Sequence, residues 1–384
     1  MTRVEAAMRR GEEALAGKRF PDPGAIGRRW FAIGDPQAPA EKFFTVLEAH
    51  DLLSDEGTLR GGIGFLSMGD HFDYGGETTR DDAGADRAGR TVLAWLAAHD
   101  ATQTKILFGN HDSSRVMELA FETDESFVAA RTFARRAPKT EESRATFLSK
   151  HPHIPSPGIA GRDYSTFTVA QRTLVQRLLC EGRFSLAVVG QLFDRDVLFT
   201  HAAVTQRELG MLGSELSIDA QAIANALEKL LADAVAKVRP AWERGELAAL
   251  DLAPVHVAGK SGAEGGGLLY HRPASRAAAK SAWDFDVDRP RRFDPTELPR
   301  GLAQACGHSA HERCARDLSV WATDAAKSAK HASLRTLQVT DEKIVYDLGL
   351  LAPAGENSAA LYMLDPGLWV TPAEEIALLP FRLS

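Results

Sequence analysis

Residues 62–73 read GIGFLSMGDHFD, a short apolar run that stops at a Gly-Asp pair. An apolar run of this length, bounded by turn residues, is typical of a buried β-strand. The same pattern occurs at residues 30–35 (WFAIGD) and 105–110 (KILFGN). Segments with helical patterns, around residues 43–47 and at 88–99, separate the three runs. This alternation of strands and helices predicts βαβ units and a layered α/β domain.

The rest of the chain is predicted to extend this α/β unit into one domain spanning residues 1–384. An amphipathic helix is expected at 3–17, within an N-terminal extension of residues 1–28. Residues 113–190 have a mostly helical pattern, and we expect them to form an insertion attached to the core of the domain. The remaining expected elements are a strand at 196–200, a helical region at 216–248, loops at 262–267 and 284–299, and strands at 334–339, 344–347 and 359–364.

Composition limits the classes of function. The net charge is −7 and the basic residues are dispersed, so a nucleic-acid partner is not expected. Three cysteines, Cys180, Cys306 and Cys314, form neither an even disulfide framework nor a zinc-ribbon pattern. The charged N-terminus does not resemble a signal peptide, and no run of about 18 apolar residues could form a membrane helix. We therefore expect a cytoplasmic protein that does not bind membranes; its oligomeric state is left open.

The predicted strand ends carry residue types that bind divalent metal ions. Open α/β sheets bind ligands beyond the carboxyl ends of their strands, and carboxylate, amide and imidazole groups are suitable metal donors. A glycine directly precedes Asp35, Asp70, Asn110 and His308 and would allow a sharp turn there. One Gly-Asp pair alone is ordinary turn chemistry, but five such elements in one chain predict a metal site. The candidate ligands are Asp35, Gln37, Asp70, Asn110, His201 and His308.

The order of these motifs resembles the calcineurin-like metallophosphoesterases, which carry GDxHG, GDxxDxG, GNH(D/E), a strand-end His and a GH pair. Within that superfamily it is most similar to the phosphoprotein phosphatases and the bacterial diadenosine-tetraphosphatase-like enzymes. The softer similarities to this branch are FTHAA at 199–203, GGGLLYHR at 265–272 and IVYDLGL at 344–350. The match runs from about Trp30 to Asp365. It implies a layered β-sandwich flanked by helices, with the helical insertion at 113–190.

The resemblance also implies a role for each ligand. Asp70 would bridge two metal ions, Asp35 would bind the first ion, and Asn110, His201 and His308 would bind the second. The ions would hold the phosphate and activate the attacking hydroxide.

Four further residues are expected to act on the phosphate or its leaving group. His111 would protonate the leaving group, with its ring oriented by Asp73. Arg115 stands four residues after His111, and in a helix both would face one side and let Arg115 bind phosphate. Arg272, in GGGLLYHR, is a second candidate phosphate ligand.

Three positions depart from the family pattern. Gln37 stands where the first motif has His, Ala310 stands where many members have a second His, and Tyr74 stands where the phosphoprotein phosphatases have Arg. The first metal ion would therefore be bound mainly by oxygen atoms. Such sites suit manganese, magnesium or calcium better than zinc or iron. We expect two divalent ions, with Mn²⁺ favoured and Mg²⁺, Fe or Zn²⁺ as alternatives.

The expected activity is hydrolysis of phosphomonoesters, in a phosphoprotein or a nucleotide-like small molecule. Two alternatives remain open. A phosphodiesterase or nuclease of the same superfamily would suit the missing arginine, because a diester carries one negative charge fewer. A degenerate phosphatase could act as a binding module, and Gln37 and Tyr74 favour that interpretation. The His111–Asp73 pair argues against it, because a binding module does not need a general acid.

Overall fold

The computed structural model describes residues 1–21, 24, 27–74, 81–213, 216–257, 265–277, 285 and 291–384. Within these residues, eleven strands form one large mixed sheet. They are β1 (Arg29–Ile33), β2 (Ile63–Ser67), β3 (Thr104–Leu107), β4 (Phe184–Ser185), β5 (Ala187–Leu192), β6 (Arg195–Thr200), β11 (Ala303–Cys306), β12 (Arg335–Val339), β13 (Ile344–Leu348), β14 (Ala359–Met363) and β15 (Leu379–Leu383). Their order across the sheet is β13-β12-β14-β11-β6-β5-β15-β1-β2-β3-β4. Four two-residue strands form two small separate pairs: β7 (His256–Val257) with β8 (Gly266–Gly267), and β9 (Arg272–Pro273) with β10 (Arg292–Phe293).

The three apolar runs predicted from the sequence form the parallel strands β1, β2 and β3. Strand β2 lies in the middle, with Ile33 paired to Ser67 on one side and Ser67 to Ile106 on the other. Every residue of β2 is buried, which explains its continuous apolar character. Because these strands are parallel and adjacent, their carboxyl ends lie at one edge of the sheet.

A second parallel group consists of β6, β11 and β14. Cys306 at the end of β11 pairs with Thr200 of β6 and with Met363 of β14. The expected strands at 196–200, 334–339, 344–347 and 359–364 are confirmed as β6, β12, β13 and β14.

The sheet curls back on itself. Strands β4 and β5 are separated along the chain by Leu186 alone, yet β4 is the outer strand of the sheet and β5 lies in its middle. An apolar cluster joins the two halves and includes Trp30, Leu66, Phe199 and Tyr362. The rings of Trp30 and Phe381 are 5.9 Å apart within it. The predicted layered sandwich is consistent with this curl.

Helices cover the other faces of the sheet. The eleven α-helices of the described chain are α1 (Arg3–Leu15), α2 (Ala40–Ala49), α3 (Asp82–Ala98), α4 (Asn110–Ser113), α5 (Asp124–Arg136), α6 (Glu141–Lys150), α7 (Val169–Cys180), α8 (Gln206–Leu212), α9 (Ala220–Glu243), α10 (His311–Asp317) and α11 (Asp324–Ser328). The largest apolar cluster joins side chains of α2, α3, α7 and α9, among them Phe43, Trp95, Leu174 and Leu227. None of the helices in the described ranges has the length and apolar character needed to cross a membrane.

The segment at 113–190 is helical as far as Cys180. Beyond Cys180 it contributes β4 and β5 to the central sheet, so its last residues belong to the core. The predicted helix at 3–17 is confirmed as α1, which begins with a capping box between Thr2 and Glu5. Helix α1 contacts α2 and α3, with Ala6 and Ala7 buried. Residues 262–264 of the predicted loop at 262–267 lie outside the described residues, and Gly266–Gly267 form β8.

Candidate metal centre

Five of the six predicted ligands are buried at the strand ends. Asp35 follows β1, Asp70 follows β2 and Asn110 follows β3, each within three residues; His201 follows β6 and His308 follows β11. Ligand atoms of Asp70, His201 and His308 all lie within 4.8 Å of one another. The structure therefore brings together a buried Asp/His/His group that could hold a metal ion.

Hydrogen bonds fix the orientation of both imidazole rings. His201 Nδ1–H donates to the Met68 carbonyl at 2.7 Å, and His308 Nε2–H donates to the Tyr270 carbonyl at 2.7 Å. The remaining ring nitrogens, His201 Nε2 and His308 Nδ1, face each other at 3.2 Å. In neutral rings these two nitrogens carry lone pairs. They therefore need a proton or a cation between them, as metal-ligating histidines do.

The Asn110 amide lies beside the same two nitrogens. Its oxygen is 3.1 Å from His201 Nε2. With the amide reversed, its nitrogen would donate to His308 Nδ1 at 2.8 Å and to Asp70 Oδ2 at 3.2 Å. Acceptor atoms from four residues thus converge on one small space. With the Asn110 amide reversed, its N–H groups satisfy these acceptors. With the amide oxygen facing them, a cation would satisfy them.

The electrostatics of the group favour a positive charge at its centre. Burial raises the pKa of Asp70, but the charges of His201 and His111 hold it well below the usual range. Burial lowers the pKa of His201, yet the Asp70 carboxylate raises it to about 9. A divalent cation would take the place of that proton. On both hydrogen-bonding and charge grounds, these residues fit a divalent metal ion.

Asp35 lies next to this group. Its Oδ1 accepts a hydrogen bond from the His308 backbone N–H at 2.8 Å. Burial raises the pKa of Asp35, and the charges of Asp365 and then Asp70 raise it further. Gln37 is half-buried, and its Nε2 donates to the Phe72 carbonyl at 2.7 Å. That bond ties Gln37 to the loop after β2; its role as a metal ligand stays a prediction.

The backbone of the site is strained where the ligands emerge. Asp70, Asp73 and His308 have φ angles of 61°, 68° and 57°, in the left-handed region that costs a non-glycine residue energy. Gly69 has a φ of 96°, so the prediction of a glycine-dependent turn is confirmed there. Gly109 has a negative φ, so its backbone does not require glycine. A side chain at this position would instead collide with Asp70 Oδ1.

His111 and Asp73 form the predicted pair. His111 Nδ1 is 2.9 Å from Asp73 Oδ2, and the His111 side chain remains 18% exposed. Asp73 is held in place by Thr166, which donates from its backbone N–H at 2.6 Å and from its hydroxyl at 2.9 Å. Burial lowers the pKa of His111, but the charges of Asp70 and Asp73 raise it above the ordinary value overall. His111 Nε2 lies 3.9 Å from Asp70 Oδ2, beside the candidate metal centre.

Arg115 lies beside the His111–Asp73 pair. Its guanidinium is fully buried and lies 2.7 Å from Asp73 Oδ2. It also donates to Gln171 Oε1 at 3.2 Å and to Ser114 Oγ at 2.7 Å. These contacts engage the guanidinium within the protein, and a role for Arg115 in binding phosphate stays a prediction. Its charge neutralises the carboxylate that orients His111.

Arg272 lies beside the candidate metal centre. Its Nε donates to the His308 carbonyl at 3.0 Å, and the residue is half-buried. The positive charge of Arg272 is one reason, after burial, why the pKa of His308 lies well below its usual value. A role for Arg272 in binding phosphate stays a prediction.

Two residues near the site, Asp112 and Asp365, were not predicted to belong to it. Asp112 accepts hydrogen bonds from the backbone N–H of Asp70 at 2.9 Å and of Gly109 at 3.1 Å, and so connects the loops after β2 and β3. Asp365, after β14, is 7% exposed and lies close enough to Asp35 for its charge to raise the Asp35 pKa. The strand-end pattern that identified the other ligands would also have identified Asp365.

Comparison with known protein families gives no match, and no curated protein matches the sequence. The solved structure of a cold-active protein tyrosine phosphatase at 1.1 Å resolution is similar over 78% of this chain and 69% of that one, with 13% sequence identity and a TM-score of 0.32. A similarity at that TM-score carries no conclusion about this chain. The fold and the candidate metal centre therefore rest on the geometry described above.

Proposed function

We propose that the protein is a metal-dependent phosphoesterase that hydrolyses phosphomonoesters. The observation that carries the proposal is the juxtaposition of a buried Asp/His/His group with a partly exposed His–Asp pair. Ligand atoms of the first lie within 4.8 Å of one another, and His111 Nε2 is 3.9 Å from Asp70 Oδ2. In metal-assisted ester hydrolysis a bound cation activates the attacking water, and a general acid beside it assists departure of the leaving group.

Asp35, Asp70, Asn110, His201 and His308 would hold two divalent ions, with Mn²⁺ favoured. When bound, such ions would polarise the phosphate and lower the pKa of a water molecule. The His201 and His308 rings are held by carbonyl groups with one nitrogen each directed inward. This fixed orientation would limit the reorganisation needed during the reaction.

His111 would act as the general acid. Its Nδ1–H donates to Asp73, which leaves Nε2 to carry the proton that goes to the leaving oxygen. The negative charges of Asp70 and Asp73 favour the protonated ring. Arg272, whose Nε donates to the His308 carbonyl, would bind a phosphate oxygen.

A phosphodiesterase is the second candidate, and the placement of Arg115 favours it. Of the two predicted phosphate-binding arginines, Arg115 is engaged with Asp73 and Arg272 alone lies beside His308. Tyr74, where an arginine was expected, contacts the Trp369 ring at 5.2 Å instead. Fewer positive charges suit a diester, which carries one negative charge fewer than a monoester.

The test is turnover by metal-depleted protein reloaded with Mn²⁺, Mg²⁺, Zn²⁺ or Fe²⁺. Substrates would be p-nitrophenyl phosphate, its bis ester and a dinucleoside polyphosphate, and Asp70→Asn would be the inactive control. Metal-dependent turnover of the monoester supports the proposal. Turnover of the bis ester alone favours the phosphodiesterase. No turnover with any metal would support a degenerate phosphatase that binds without reacting.

A further inference from the structure

We propose that Asp365 is a third carboxylate ligand at the cation position formed by Asp35 and Asp70. The inference rests on the metal centre of the proposed function and concerns which residues bind its first ion. The class of ligand is a hard divalent cation such as Mn²⁺, Mg²⁺ or Ca²⁺.

The sheet places Asp365 at the same edge as the other ligands. Strands β11 and β14 are parallel, with Cys306 paired to Met363. The Leu364 N–H donates to the Cys306 carbonyl at 2.7 Å, which continues this register past the strand ends. Asp365 therefore lies beside His308, two residues after Cys306.

Asp365 also lies directly against the Asp35 turn. The Gly34 N–H donates to the Leu364 carbonyl at 3.2 Å. A Cβ at Gly34 would be 2.4 Å from both the backbone nitrogen and the Cα of Asp365. Two chain segments in such close contact bring the carboxylates of Asp35 and Asp365 into one buried region, and Asp70 acts on both through its charge.

The hydrogen bonds of the two carboxylates leave one oxygen of each available. Asp365 Oδ1 accepts from the Gly367 N–H at 2.8 Å, and Asp35 Oδ1 accepts from the His308 N–H at 2.8 Å. In the described part of the chain, no hydrogen bond reaches Oδ2 of either residue. Buried Arg335 donates to the backbone carbonyls of Ser309 and Asp365 rather than to the carboxylate. The two free oxygens are suitable donors for a cation.

The facing imidazole nitrogens independently indicate a cation in this region. His201 Nε2 and His308 Nδ1 are both buried and both directed toward Asp70. Asp70 would thus be shared between the ion bound by these histidines and the ion bound by the carboxylates. With Gln37 and Ala310 in place of two family histidines, Asp365 would supply charge that the first ion otherwise lacks. An all-oxygen ligand set selects hard ions.

Asp365→Asn tests the proposal, because an amide oxygen can still accept from the Gly367 N–H while the charge is lost. Metal-free protein would be titrated with Mn²⁺ by calorimetry. The wild type should show one tighter and one weaker ion, and the variant should bind the weaker ion at least about tenfold less tightly. The tighter ion should be bound as in the wild type. Thermal stability of the metal-free variant should be equal or higher, since a buried repulsion is removed.

Asp347→Asn is the matched control. Asp347 lies on β13 and accepts a hydrogen bond from the Thr323 hydroxyl at 2.6 Å, away from the strand ends that carry the ligands. This variant should bind both ions as the wild type does. If Asp365→Asn does not fold, Asp365→Glu replaces it: the displaced carboxylate should alter binding of the weaker ion alone.

Unchanged binding of both ions by the Asp365 variant would overturn the proposal. Loss of metal-free stability together with weaker binding of both ions would also overturn it, because that pattern indicates a purely structural role. Neither outcome depends on turnover, so the phosphoesterase proposal is judged separately by its own assay.

Discussion

At the residue scale, two side chains share one carboxylate oxygen and have different roles. Asp73 Oδ2 lies 2.9 Å from His111 Nδ1 and 2.7 Å from the Arg115 guanidinium. His111 retains access to solvent, whereas Arg115 is buried. Burial raises the pKa of Asp73, but Arg115 and His111 reverse this effect and lower it below the usual range. Asp73 therefore stays ionised and can orient the ring of the proposed acid.

His111→Ala should reduce turnover by about 10²- to 10⁴-fold, the usual contribution of general acid catalysis. Metal content, measured by elemental analysis, should change little, because His111 contributes no predicted ligand. The loss should be smaller with p-nitrophenyl phosphate than with an alkyl phosphate, since a good leaving group needs little protonation. His153→Ala, at an exposed histidine, is the control. Equal losses across leaving groups would contradict the general-acid role.

Arg115→Met and Arg272→Met should affect different properties of the protein. Removing Arg115 leaves Asp73 as an uncompensated buried charge, so the free energy of unfolding should fall by about 3–5 kcal/mol. Arg272 is half-buried beside the site, so its removal should raise KM with a smaller change in stability. Urea unfolding and steady-state kinetics measure the two effects. An Arg115 variant of normal stability with a raised KM would instead support the prediction that Arg115 binds phosphate.

At the element scale, regular strands and helices were predictable and irregular strands were not. Strand β2 is apolar at every position because both of its faces are covered. Strand β15 contains Pro380 and Arg382 in an alternating exposed pattern, and β11 has four residues, so neither has a strong strand signal. Most of strand β5 lies within residues 113–190, the segment that the sequence predicts to be mostly helical. Strands β5 and β15 join the two parallel groups, a long-range arrangement that local patterns do not encode.

The candidate site was predictable to the extent that it follows strand ends. Asp35, Asp70, Asn110, His201 and His308 lie where the pattern placed them. The buried position of the Arg115 guanidinium was not predictable from the sequence. It depends on hydrogen bonds to Thr166 and Gln171, which lie far from Arg115 along the chain. Asp365 also follows a strand, but it lacks the directly preceding glycine found at Asp35, Asp70, Asn110 and His308.

The end of α3 gives a prediction about pH. His99, which follows this helix, donates from Nδ1–H to the Trp95 carbonyl at 2.9 Å and accepts from the Leu59 N–H at Nε2 at 3.0 Å. The ring is therefore neutral in the folded protein, and burial lowers its pKa to about 3. The unfolded value is about 6.5. The neutral ring contributes stability above pH 6.5, and this contribution is lost as the pH falls toward 3.

Urea unfolding between pH 7 and pH 4 should show this loss, with a slope of up to about 1.4 kcal/mol per pH unit from His99. His99→Gln should be less stable at pH 7, because one of its two hydrogen bonds is lost, but its stability should depend less on pH. His153→Gln should keep the wild-type slope. Equal slopes for the wild type and His99→Gln would show that His99 does not titrate on unfolding in this range.

At the scale of the whole molecule, the candidate ligands come from both parallel groups of the sheet. Asp35, Asp70 and Asn110 follow the group formed by β1, β2 and β3, while His201 and His308 follow β6 and β11. These residues bring hydrogen-bond acceptors close to one another, such as His201 Nε2 and His308 Nδ1 at 3.2 Å. A cation bound by these residues would link the two groups of strands.

Metal binding should consequently stabilise the protein against global unfolding. A cation that binds the folded state alone adds about 2.7 kcal/mol when its concentration is 100 times its dissociation constant. Chelation should lower the melting temperature, and added Mn²⁺ should restore it in proportion to the logarithm of its concentration. Asp70→Asn should abolish this response, because Asp70 lies beside both the histidines and Asp35. Calorimetry of the metal-free and Mn²⁺-loaded proteins measures the shift. A melting temperature that is independent of Mn²⁺ would mean that the strand ends are held together without a cation, by the proton on His201 and the reversed amide of Asn110.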